Sequence, residues 1–476
     1  MKLKKNLFLI SIFLFLSVPI YAQIKKEELM KTVEFLASKE LGGRLPGSDG
    51  YTKAANFIAG ELSKLNFLPG GDDNYFQKLK VEYNEILAPE HFSVIKDGKT
   101  INYKIGDDYA YRGFTGAGNF TAPVVFCGYG LSQPELGYDD YSGIDVKGKV
   151  VLAFKYNPKW NIDGKNFING NPREKAIVAA NHGAIGILFV SFPNDAEPQR
   201  PIGSIIHGEG EQMINFPEIH IDLSAADEIL SGSSRTLKDL QTLIDSTKKP
   251  YSIQLVPKVD IEVHTKYEKE KEVVNVVGMI EGSDPDLKKE YLIIGAHLDH
   301  VGSQAGKIYF PGANDNASGS AALLQIAREF SRTQEKPKRS IIFVFFAGEE
   351  QGLYGSKYFS ENMKFSKEKV KAMINLDCVG YGDSIQIGGG ESAPTFWNIA
   401  KQIDNGNNKL LVTRTWKGGG ADAEPFYEKG IQTLYFVTTN SYKHLHMLSD
   451  KPETLNQNLF EAITKLAFKT IANIAE

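Results

Sequence analysis

Four short stretches of this sequence bring together side chains that could do chemistry. They are His297-Leu-Asp299-His300, Asn314-Asp315-Asn316, Gly348-Glu349-Glu350 and the tail of Ala372-Met-Ile-Asn-Leu-Asp377. Imidazole and carboxylate without thiolate favour zinc or another borderline divalent ion over softer metals. Asp299, two residues after His297, can accept the proton on the far ring nitrogen and so fix the tautomer that binds metal. Glu349 and Glu350 cannot both aim comfortably at one ion from adjacent backbone positions, so one is expected to ligate and the other to move protons. Asp315 can offer one oxygen to each of two ions.

The elements that must carry these groups are legible beside them. Tyr291 to Ala296 and Ile341 to Ala347 are short, continuously apolar runs, as strands buried on both faces are, and Ala372 to Leu376 is a third, largely apolar strand. Each ends abruptly in polar groups, and in open α/β sheets the ligand crevice lies beyond the carboxyl ends of the strands. A helix is expected from Asn316 to Phe330; its small first turn, Ala317-Ser-Gly-Ser-Ala, lets it pack closely beneath Asp315, with the positive end of its dipole toward the pocket.

Taken together and in order, these blocks resemble the signature blocks of the di-zinc aminopeptidases of metallopeptidase family 28. The resemblance runs from about Leu36 to about Leu455, with an insertion between. It implies an α/β fold of zinc-exopeptidase type, a mixed, mainly parallel central sheet flanked by helices, with a smaller inserted β-rich α/β domain. It also implies two Zn2+ per chain. His297 and Asp377 would hold one, Glu350 and a late histidine the other, and Asp315 would bridge them, the peptide bond after it being commonly cis. Glu349 would be the general base acting on a water shared by the two ions, with Asp299 assisting as a catalytic-site residue. His444 and His446 compete for the last ligand position. The family's late block has a histidine followed four residues later by aspartate, which selects His446, with Asp450 orienting it or capping a C-terminal helix from Glu453. The chain departs from the pattern at Asp422-Ala423, where the family usually has Asp-His; His300 or His444 would have to supply that imidazole.

The implied function is that of a secreted exopeptidase removing N-terminal residues from peptide substrates. Three alternatives share much of this pattern. A carboxypeptidase or dipeptidase would need a cation for the substrate α-carboxylate, and Arg112 and Arg414 are available. Glutaminyl cyclases resemble the family, and a receptor-like, non-catalytic relative would be expected to have lost ligands.

The rest of the chain frames this centre. With 476 residues, 42% hydrophobic and 24% charged, the composition is that of a globular chain of two or three units. The net charge of −4 and the lack of a basic block after the first residues exclude nucleic acid as an expected partner. Lys2, Lys4 and Lys5 precede an apolar run from Leu7 to about Val18, then Pro19-Ile-Tyr-Ala22. This reads as a secretory signal cleaved after Ala22, placing the mature chain outside the cytoplasm, secreted or periplasmic, with no membrane span. Cys127 and Cys378 are expected to be unpaired.

Residues 23–119 are expected to open the catalytic domain, 254–476 to complete it, and 120–253 to form the insert, whose strand, loop, strand, helix, strand series resembles a protease-associated domain. In the insert no convergent set of acids and imidazoles appears, so it reads as a cover or docking surface; His182 reads as a helix C-cap. In the opening segment, helices are expected over Lys25 to Ser38 and Thr52 to about Leu65, joined by a Gly-rich loop. There Arg44 is expected to pair with acids and hold the loop rather than clamp substrate. Val259 to Lys269 and Val273 to Ile280 read as two strands, the first with one wet face that includes His264.

Overall fold

The structure, a computed structural model, describes residues 23–476 apart from 169, 209 and 441. The expected signal segment and its cleavage point lie outside the described residues. The three apolar runs form neighbouring parallel strands, Ser340–Phe346, Tyr291–His297 and Val370–Leu376, and Thr433–Thr438 adds a fourth in parallel. Ile385–Gly388 closes that edge antiparallel, and Ser252–Ile280 lies antiparallel on the other side. Every residue of Ser340–Phe346 is buried, which is why no polar alternation appears in it. Helices Lys26–Leu36, Asp49–Lys64, Gly319–Arg332 and Gln457–Ala475 pack on the sheet and share one core with it. Each fully buried Leu, Ile or Phe in that core contributes about 1.5–3 kcal/mol.

The two strands expected before the metal blocks are one. Ser252–Ile280 runs 29 residues and pairs along most of its length with the 21-residue strand Phe76–Lys96, bending at register shifts near Glu262 and Glu268. Its C-terminal end lies beside Ser340–Phe346 in the catalytic sheet; its N-terminal end lies beside Gly118–Cys127 in the insert. The insert continues from there as parallel strands Val150–Phe154, Gly186–Val190 and Glu218–Ile221, covered by helix Pro172–Asn181. Tyr109–Tyr111 pairs antiparallel on Glu218–Ile221, so the insert's sheet takes in residues ahead of 120. The wet face of the long strand does carry an exposed His264. His182 is the C-cap of Pro172–Asn181 and stacks on Tyr141 at 4.3 Å. Among the described residues no helix is long and apolar enough to cross a membrane.

Arg44 corrects one expectation. Its partners are not acids but four backbone carbonyls, those of Leu36, Leu298, Pro311 and Gly312, and the residue is 0% exposed. The guanidinium's forked donors tie the N-terminal loop to the segments on either side of the metal blocks, and each carbonyl left unpaired on its removal would cost about 1–3 kcal/mol.

Candidate metal centre

Each candidate residue sits where a strand or turn ends. His297 closes its strand, Asp377 follows Val370–Leu376 directly, and Glu349 and Glu350 lie just beyond Ser340–Phe346, after a turn at Gly348 with φ +67°. Asp315 lies in a wide turn that precedes helix Gly319–Arg332. The helix begins three residues later than expected because Asp315 and Asn316 have non-helical backbone angles; the peptide bond between them is cis. Gly319 is needed for close approach: a Cβ there would stand 2.2 Å from the carbonyl oxygen of Leu376, beside Asp377.

The five expected ligands converge in two groups that share Asp315. In the first, His297 Nε2 lies 3.3 Å from Asp315 Oδ1 and 3.5 Å from Asp377 Oδ1. In the second, His446 Nε2 lies 3.2 Å from Asp315 Oδ2 and 2.9 Å from Glu350 Oε2. Donor atoms bound tetrahedrally at zinc distances are separated by about 3.3 Å, so the spacing suits one ion per group with one Asp315 oxygen turned to each. The donors' own hydrogen bonding agrees: His297 Nε2 and Asp377 Oδ1 are buried and unpartnered although they face one another.

Electrostatics argue the same way. Burial opposes charge on both histidines, yet neighbouring carboxylates outweigh it. Glu349, Asp315 and Asp377 raise His297, and Glu350 and Asp315 hold His446 at about 10. Asp315 is held below the usual carboxylate range despite its burial, by the imidazoles of His297, His446 and His300 beside it. So many buried carboxylates require compensating cations, and divalent metals displace the protons that would otherwise fill that role.

Glu349 stands apart from both groups, its Oε2 4.0 Å from His297 Nε2 and its side chain 19% exposed to the cleft. Burial and the carboxylates of Asp422, Glu350 and Asp377 raise its pKa, against the opposing pull of His297, which favours proton uptake. The placement of Asp299 differs in detail from expectation. The acceptor closest to His297 Nδ1 is the Asp299 backbone carbonyl at 3.3 Å, with the carboxylate at 3.7 Å. That carboxylate instead faces the backbone N–H groups of Glu349, at 3.3 Å, and Glu350, at 3.4 Å, and burial pushes it up to about 6. Asp299 therefore sets the base and one ligand as well as the histidine.

Asp450 neither orients His446 nor caps the last helix. Its carboxylate accepts from the N–H groups of Asn314 and Asp315 at 2.8 and 3.2 Å, and Asn456 caps Gln457–Ala475. A buried carboxylate is better satisfied by two backbone donors of a tight turn than by an imidazole already committed elsewhere. His444 turns away from the centre to Ser449 Oγ at 2.9 Å. It does not line the pocket because the segment is not extended: His446 itself has φ +55°. Ala423 lies in an apolar cluster with Phe346, Phe359 and Phe426. The imidazole absent at that position is not supplied by His444.

Tyr435 at the centre escaped the sequence reading, and His300 was named there only as a substitute for the imidazole missing beside Asp422, not as a partner of Glu350. Tyr435, on the strand Thr433–Thr438, donates from its hydroxyl to Asp377 Oδ2 at 3.3 Å. His300, fully buried, has Nδ1 2.8 Å from Glu350 Oε1, the oxygen that does not face His446, and 3.9 Å from Asp315 Oδ2. Its only sequence signal was its place in His-Leu-Asp-His. A donor on the free oxygen of a ligating carboxylate holds that ligand in position. His300→Ala is expected to weaken zinc at the Asp315, Glu350 and His446 group by about 10–100-fold and to spare the other group, as read by zinc titration against a competing chelator.

The insert also touches this centre. Gly203 N donates to the carbonyl of His446 at 2.8 Å, and a Cβ on Gly203 would meet Val301 and Phe310 at 2.7 and 2.9 Å. Arg112, by contrast, is buried within the insert against Phe114 and takes no place at the cleft.

A shared-carboxylate, two-group centre at the carboxyl ends of parallel strands defines a metallohydrolase of the α/β class. Residues 275–471 match peptidase family M28 and residues 120–229 match the PA domain. The chain thus carries an M28 peptidase match over residues 275–471 and, ahead of it, a PA-domain match. It is 24% identical over 432 residues to a Glutamate carboxypeptidase 2 homolog of Caenorhabditis briggsae, covering 73% of this chain and 52% of that protein. It is 25% identical over 369 residues to an aminopeptidase of Pseudomonas aeruginosa, covering 76% and 59%. The chain thus spans little more than half the length of these curated relatives. Its fold matches that of BSAP, a zinc aminopeptidase from Bacillus subtilis, with TM-score 0.63 and 19% identity over 95% of this chain and 96% of that one.

Proposed function

We propose that the protein is a two-zinc aminopeptidase that removes N-terminal residues from peptides, acting outside the cytoplasm once the expected signal in residues 1–22 is cleaved. The observation that carries this reading is the pair of ligand groups sharing Asp315, with Glu349 beside them and bound to neither. His297, Asp315 and Asp377 would hold one zinc, and Asp315, Glu350 and His446 the other. Zinc in these positions supplies Lewis acidity, which polarises a peptide carbonyl and makes a water more acidic.

The protein's own groups supply the rest. Glu349 takes a proton from the attacking water and returns it to the leaving amine. Burial raises its pKa above the ordinary carboxylate value, the direction that favours proton uptake. Asp299 keeps Glu349 and Glu350 aimed through their backbone N–H groups, and Tyr435 and His300 hold Asp377 and Glu350. A carboxypeptidase reading is favoured by one observation, Arg414 in the cleft.

The test is zinc-loaded protein beginning at Gln23, assayed against aminoacyl anilides, N-acetylated peptides and N-terminal glutaminyl peptides. Hydrolysis confined to unblocked amines is the expected result. Cleavage of N-acetylated peptides from their carboxyl ends, or cyclisation of the glutaminyl peptides without hydrolysis, would overturn it.

A further inference from the structure

A cleft of about 780 Å³ opens beside the centre, with Asn314 and Cys378 among the residues that line it. These are the chain neighbours of Asp315 and Asp377, and adjacent Cα atoms are about 3.8 Å apart. A substrate held by its backbone at the centre therefore has a side chain or chain end within reach of this cleft. Its lining is mostly hydroxyl and amide, from residues such as Gln386 and Thr438, with few aliphatic groups. Such a lining does not select a large apolar side chain.

Arg414 is the one cation among the lining residues. The chain around it is pinned along the strand Ile385–Gly388. Val412 N donates to the carbonyl of Ile385, Thr415 Oγ1 donates to the carbonyl of Ile387, and the Arg414 carbonyl accepts from Gln386 Nε2 at 3.2 Å. The guanidinium itself has no hydrogen bond, ion pair or aromatic face among the described residues. The other arginines are engaged: Arg44 by carbonyls, Arg173, Arg328, Arg332 and Arg339 by glutamates, and the rest by a carbonyl or an aromatic ring. The acid in the same lining, Asp383, has one oxygen occupied by Ser384 and Thr439 hydroxyls at 2.9 and 3.3 Å. An anchored segment with a free, forked donor facing a polar cleft is suited to a carboxylate, which a guanidinium binds through two parallel hydrogen bonds.

Resting on the aminopeptidase reading, we propose that Arg414 receives a carboxylate of the substrate, so that the enzyme selects peptides carrying an acidic group next to the scissile bond. The group has two sources, an acidic N-terminal side chain or the α-carboxylate of a dipeptide. The experiment separates them. Zinc-loaded enzyme is assayed for kcat/KM on glutamyl, glutaminyl and lysyl anilides, and on Ala-Ala against Ala-Ala amide.

At least about tenfold preference for glutamyl over its neutral isostere assigns the side-chain source. The same preference for the free dipeptide over its amide assigns the α-carboxylate. In Arg414→Met the preference is expected to fall to about one, and Arg414→Lys to retain part of it. Because each readout is a ratio within one preparation, loss of folded enzyme does not mimic the result. Hydrolysis with neither preference, a preference that survives Arg414→Met, or selection of the lysyl substrate would overturn the proposal. Absence of hydrolysis of every unblocked substrate would instead overturn the aminopeptidase reading beneath it.

Discussion

Glu349→Gln is expected to retain its zinc and to lose about 10²–10⁴-fold in kcat. The amide keeps the size and the backbone contacts of the glutamate but cannot accept a proton. Glu349 belongs to neither ligand group, its Oε2 lying 4.0 Å from His297 Nε2, so metal content should not follow activity down. KM should move little, because the loss falls on a step made only in the transition state. Metal analysis beside steady-state kinetics checks this, and near-normal turnover would remove Glu349 from the chemistry. The same substitution at Glu350 should behave in the opposite manner, losing zinc first and activity as a consequence.

The second large effect is expected at Asp315. Its two oxygens face different histidines, His297 at 3.3 Å and His446 at 3.2 Å, so one side chain serves both groups. Asp315→Asn removes the negative charge that both cations would share and offers one of them an amide nitrogen in place of oxygen. Loss of both ions and of all measurable activity is the expected outcome, with a fall in melting temperature, because ions that bind only the folded chain stabilise it. Asp377→Asn strikes one group only and should release a single zinc. Equal metal loss in the two variants would show that Asp315 is not shared.

Much of this centre was open to a reader of the sequence, for a local reason. The strands Tyr291–His297, Ser340–Phe346 and Val370–Leu376 are buried at nearly every residue, so each announces itself as a mostly apolar run, and each stops where the chain reaches the crevice. What was not legible depends on contacts distant in the chain. Asp450 serves the Asn314 to Asp315 turn from 135 and 136 positions away, and Arg44 reaches carbonyls as far as Gly312. No periodicity or spacing encodes such partners. The single strand Ser252–Ile280 was divided because its charged middle, Lys266 to Glu272, breaks the apolar alternation; pairing with Phe76–Lys96 carries it across. His300 was named but its partner was not, because that partner, Glu350, lies fifty positions on.

The long paired strands Phe76–Lys96 and Ser252–Ile280 enter both sheets without a linker between them. The PA domain is therefore a fixed gatepost rather than a swinging door. Gly203 of this domain is joined to the carbonyl of His446, so a candidate zinc ligand takes one of its backbone contacts from outside the peptidase domain.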